Sequence, residues 1–91
     1  METAVENMEL VKLDIEDRYG RTYTLRFTGV ALAEIRQGMV YRTDEDQFVA
    51  YDMRRSEATV VDDAEELWDL LDRDDYIGVM NALGITPEID L

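Results

Sequence analysis

The chain predicts an α+β domain: a mainly antiparallel sheet of about five short strands, in the order ββαβββαα, with the helices packed on one face. Three observations carry that prediction. Within Glu9–Thr28, every second residue is apolar in two runs, Val11, Leu13 and Ile15 and then Tyr23, Leu25 and Phe27, the pattern of a half-buried antiparallel pair. Met39–Arg42 and Gln47–Met53 form a second pair of apolar runs around an acidic tip. At Asp62 the apolar spacing changes to threes and fours, through Ala64, Leu67, Trp68 and Leu71, which is helical.

In the first hairpin, Glu16–Gly20 is a polar connection in which Gly20 is free to take positive φ. Its length sets Leu13 opposite Tyr23 and Val11 opposite Leu25. Thr28-Gly29 ends the second strand. Val30–Gln37 then reads as a short helix, with Thr28 or Gly29 as N-cap, Gly38 at the C′ position, and Ala31, Leu32 and Ile35 on one face. Such a short helix needs tertiary packing to persist.

The second hairpin is expected to pair Tyr41 with Phe48 and Val40 with Val49, leaving apolar side chains on both faces. Ala58–Val61 is a short fifth strand. Asp62 and Glu65 form an aspartate variant of the capping box at the start of the main helix. Arg73-Asp74-Asp75 interrupts it. Asp74 caps a second helix bearing Tyr76, Val79, Met80 and Leu83. Gly84 ends that helix in the left-handed conformation, with Ile85 folding back as its apolar partner. Leu25, Phe27, Leu67, Trp68 and Leu71 are the expected core. Residues 8–85 make the single domain, between a polar lead-in at 1–7 and a tail at 86–91.

Composition limits the function. The chain has 22 acidic and nine basic residues, a net charge of −13, which opposes direct binding to nucleic acid or to an anionic membrane. There is no cysteine, hence no disulfide framework, which fits a reducing, cytoplasmic location. The start of the chain has no basic region followed by an apolar run, so no signal peptide is expected. Lys12 is the only lysine, a bias that fits a GC-rich genome and, together with the acidity, adaptation to a salt-rich cytoplasm.

Catalytic chemistry finds no foothold. Histidine and cysteine are absent, and the one serine, Ser56, has no neighbouring base. The paired carboxylates sit where turns and caps already explain them. Asp44-Glu45-Asp46 opens like a calcium loop, but Phe48 and Val49 stand where a ligand and the required glycine belong. The five glycines are isolated, so there is no phosphate loop. No catalytic, metal-binding or cofactor-binding residue is assigned.

Arg21-Thr22-Tyr23-Thr24-Leu25-Arg26-Phe27 followed by Ala31-Leu32-Ala33-Glu34 resembles the opening of the tail-assembly chaperones of tailed phages. That resemblance covers about the first third of the chain and implies a hairpin that leads into helices. Met39–Val61 departs from it by reading as strands, and no functional residue is carried over.

The expected function is a non-enzymatic protein-binding module, encoded by a phage or mobile element, that docks an acidic surface on a basic, nucleic-acid-binding protein as an inhibitor or mimic. Asp44, Glu45, Asp46, Asp62, Asp63, Glu65, Glu66, Asp69, Asp72, Asp74 and Asp75 would stand in for phosphates against arginine and lysine clusters. On one helix, Asp62, Glu65, Glu66, Asp69 and Asp72 would form a continuous negative stripe. The alternative is a virion-assembly protein whose interface is an apolar patch at Tyr41, Phe48 and Tyr51. A third is a halophile-adapted domain whose acidity serves only its solvent. A homo-oligomer is left open.

Overall fold

The computed structural model describes residues 8–90; the lead-in expected at 1–7 and the final Leu91 lie outside them. Strands β1 (Glu9–Glu16), β2 (Thr22–Ile35), β3 (Gly38–Thr43), β4 (Phe48–Asp52) and β5 (Glu57–Val61) are followed by a 3-10 helix (Ala64–Asp69) and helix α1 (Arg73–Ala82). The five strands form one antiparallel sheet in sequence order. The domain is broadly α+β, with little helix.

The expected helix at 30–37 is instead the end of a strand, to Ile35, followed by a turn at Arg36-Gln37. β2 runs for fourteen residues, pairing with β1 from Thr22 to Gly29 and with β3 from Gly29 to Ile35. A bulge between Ala31 and Ala33 inserts one extra residue. The insertion reverses the in–out alternation, so Leu25 and Phe27 point into one apolar cluster while Ala33 and Ile35 point into the other. This switch of parity destroys the period of two over Val30–Ile35 and imitates a helical spacing. Pairing with β3 satisfies backbone groups that two isolated helical turns hold only weakly. Gly38 is therefore not a helix cap. It opens β3, where a Cβ would collide with the carbonyl of Tyr51.

Both hairpin registers differ from expectation. In the first, Leu13 faces Leu25, Val11 faces Phe27 and Ile15 faces Tyr23, a shift of two residues that keeps every side chain on its expected face. Its loop runs from Asp17 to Arg21, closed by the Asp17 N–H donating to the Arg21 carbonyl at 2.8 Å. In the second, Tyr41 faces Val49 and Val40 faces Ala50. The shift of one comes from the turn: the Thr43 N–H donates to the Gln47 carbonyl, the Thr43 hydroxyl accepts from the N–H groups of Glu45 and Gln47, and Asp46 takes φ 62°.

The sheet is buried on both sides. The β1–β2 ribbon folds back over one face of β3–β5, and the Glu16 N–H donates to the Ser56 carbonyl at 2.8 Å where β1 reaches the β4–β5 turn. Leu13, Ile15 and Val49 are buried there, with Phe27 and Tyr41 packed edge to face at 5.5 Å. Burial raises the Tyr41 phenol pKa, and the neighbouring Tyr51 adds to the rise. The other face carries the helical layer, with Val40, Phe48, Leu67, Tyr76, Val79 and Met80 as its core.

The last strand ends where expected, at Val61, but the main helix does not form as a long α-helix. It is a single 3-10 segment that starts one residue later: Glu66 Oε2 accepts the N–H of Asp63 at 3.1 Å. Asp62 instead accepts from the Gln47 side chain. The N-cap of α1 is Asp72 rather than Asp74, its carboxylate accepting the Asp75 N–H at 2.8 Å. Gly84 does end α1 at φ 80°, and the Ile85 N–H returns to the Met80 carbonyl at 2.9 Å, the Schellman arrangement. Of the expected core, Leu67 is fully buried, Leu25, Phe27 and Leu71 are half-buried, and Trp68 is 45% exposed. Among the described residues no helix is long and apolar enough to cross a membrane.

Candidate protein-docking face

The 3-10 segment is positioned by one side chain. Leu67 is fully buried against the sheet, and its carbonyl accepts the N–H groups of both Leu70 and Leu71 at 3.0 Å. With Leu67 turned inward, Glu65, Glu66, Trp68 and Asp69 point outward and are exposed. Helix α1 buries Tyr76, Val79 and Met80 and leaves Asp74 exposed at its first turn, where the helix dipole favours negative charge.

Charge is divided along the chain. Residues 57–91 contain eleven of the 22 acidic residues and, in Arg73, one of the nine basic residues. That segment therefore carries ten of the thirteen net negative charges. It is the segment that builds β5, the helical layer and the C-terminal run.

The expected continuous stripe is not formed. The 3-10 segment and α1 are separate elements, so Asp62, Glu65, Glu66, Asp69 and Asp72 do not share one helical face. Three of these carboxylates have local partners: Asp72 caps α1 and lies 3.8 Å from Arg36, Glu66 accepts the Asp63 N–H, and Asp62 accepts from Gln47; outside the stripe, Asp75 accepts the Arg36 N–H. In the β3–β4 turn, Asp46 pairs with Arg42 at 2.7 Å, while Asp44 and Glu45 are exposed beside it. A surface pair of that kind contributes about 0.2–1 kcal/mol.

The apolar alternative is dispersed by the fold. Phe48 is buried under the helical layer, whereas Tyr41 and Tyr51 are half-buried on the opposite face. The Tyr51 hydroxyl donates to the Asp14 carbonyl at 3.1 Å. These three residues do not make one exposed patch.

A groove of about 650 Å³ lies between the 3-10 segment, α1 and the C-terminal run. Trp68 stands in it, its ring edge-on to Tyr76 at 5.0 Å. Met80, Ile85, Pro87 and Ile89 add apolar surface, and Glu65, Glu88 and Asp90 supply the charge. Among the described residues, no basic one lines it. A second groove, of about 420 Å³, mixes Arg36 and Arg55 with four carboxylates and so favours neither sign of charge.

Glu88, Ile89 and Asp90 were not legible as part of a site. The domain was expected to close at Ile85, but Ile89 packs against the core. The available signal was the pair Ile85 and Ile89, four residues apart across Pro87 in an otherwise polar run. Among the described residues, no group of three or more carboxylates is arranged to hold a metal ion. No family model, curated protein or solved structure matches the chain.

Proposed function

We propose that the protein is a non-enzymatic binding module that docks its acidic helical side on a basic, nucleic-acid-binding protein. One observation carries the reading: ten of the thirteen net negative charges belong to the segment that forms β5, the helical layer and the C-terminal run. A charge excess acting only as a solvent coat has no need of such segregation, whereas a docking face steers a basic partner and excludes acidic ones. Glu65, Asp69 and Asp74 are its most available carboxylates, being exposed and, among the described residues, without a hydrogen-bond or ion-pair partner.

The test is affinity capture from the source cell, comparing the parent with a Glu65→Gln, Asp69→Asn, Asp74→Asn variant. Proteins retained by the parent and lost with the variant should be rich in lysine and arginine, should be displaced by added nucleic acid, and should release as salt rises toward about 1 M, where screening shortens to roughly 3 Å. Capture indifferent to both the variant and the salt would overturn the reading.

A further inference from the structure

We propose that the Trp68 groove seats an arginine-bearing peptide segment that also presents an apolar side chain; this rests on the reading that the acidic side docks a basic protein. A face of carboxylates alone attracts any cation. The groove adds a shape and an apolar floor.

Its geometry is set from within. Leu67 is fully buried and holds the backbone next to Trp68, while Tyr76, itself buried in the core, meets the Trp68 ring edge-on. The indole is therefore held in place although it is 45% exposed, and little of its freedom is left to lose on binding. Met80 is buried in the core, and the exposed Ile85 adds apolar surface to the groove.

The charge of the groove selects the occupant. Glu65, Glu88 and Asp90 line it, and among the described residues no base compensates them there. A guanidinium satisfies both features at once: its plane stacks on the indole while its N–H groups reach a carboxylate. A lysine offers a compact, strongly hydrated charge that does neither as well. The groove is open to solvent and about 650 Å³ in volume, which suits a short stretch of side chains rather than a whole domain.

The experiment uses the full chain and two synthetic peptides of equal charge and length, one alternating arginine with leucine and one alternating arginine with serine. Trp68 is the only tryptophan, so its fluorescence and its indole N–H resonance report on the groove alone. At about 150 mM salt the leucine peptide should bind roughly tenfold more tightly than the serine peptide, a difference of about 1.4 kcal/mol, and should shift both Trp68 signals. Trp68→Ala should bring the two peptides to the same affinity, and Trp68→Phe should keep most of the preference. Equal binding of the two peptides with the indole resonance unmoved would overturn the groove proposal and leave the acidic docking face standing. Absence of binding by either peptide at about 50 mM salt, where screening is weak, would overturn both.

Discussion

The Oδ2 of Asp75 accepts the backbone N–H of Arg36 at 3.0 Å, so the first turn of α1 is tied to the β2–β3 turn across 39 residues of sequence. The same carboxylate sits where a helix N-terminus favours a negative charge. Asp75 thus has a structural duty that a purely electrostatic reading of the acidic run does not reveal.

Asp75→Ala should lower the stability to chemical denaturation by about 0.5–1.5 kcal/mol, because the exposed Arg36 N–H exchanges its acceptor for water. Asp75→Asn keeps an acceptor oxygen and should cost less. Equal losses for the two variants would show that charge, not the hydrogen bond, is what matters there.

Two glycines should respond in opposite directions. A Cβ at Gly29 would meet the Arg42 carbonyl where β1, β2 and β3 run side by side. Gly29→Ala should therefore destabilise by about 1–3 kcal/mol through overpacking. Gly78 lies inside α1 with open space around it, so Gly78→Ala should stabilise by about 0.5–1 kcal/mol. Thermal melts of the two variants check both signs.

Leu67 and Trp68 are neighbours with opposite fates. Leu67→Ala empties a fully buried position and should cost about 2–5 kcal/mol. Trp68→Ala removes a half-exposed ring and its edge-on contact with Tyr76, for which about 0.5–1.5 kcal/mol is expected beyond the area it covers.

The tip of the first hairpin should respond to acid. Desolvation pushes the Asp17 carboxyl upward, but hydrogen bonds from the Arg21 N–H, the Arg21 guanidinium and the Tyr19 N–H outweigh it, and its pKa is lowered. A lowered folded value means a stabilising contribution that is complete above the unfolded pKa and disappears as the pH falls through the folded one. The carbon-13 resonance of the Asp17 carboxyl should titrate with a midpoint below that of the same residue in the unfolded chain. Asp17→Asn should remove this component from the acid limb of the stability curve.

Sequence periodicity reached the strands whose alternation is unbroken. Val11, Leu13 and Ile15 read correctly because one face of β1 is covered throughout. It failed over Val30–Ile35 because a bulge is a local event that resets the alternation, and one reset of strand parity leaves apolar residues at Ala31, Leu32 and Ile35, a spacing that looks like a turn of helix. It failed at Trp68 because the apolar spacing Ala64, Leu67, Trp68, Leu71 assumes 3.6 residues per turn, and a 3-10 segment rotates Trp68 away from the face that Leu67 occupies. The acidic residues were legible as a group, but which of them cap, brace or remain available depends on contacts such as Arg36–Asp75 that no local pattern encodes.

The bulge in β2 makes one strand answer to two separate interiors. The residues before Ala31 are spaced for the cluster around Val49, and those after it for the cluster around Val40 and Leu67. Removing a single residue between Gly29 and Ile35 would act as a frameshift of faces, turning Ile35 and Ala33 toward the wrong side while leaving their identities unchanged. The length of that stretch is thus under stricter control than its composition. Alanine can stand at two of its positions, but a change in their number would unmake the helical layer and, with it, the wall on which Trp68 is mounted.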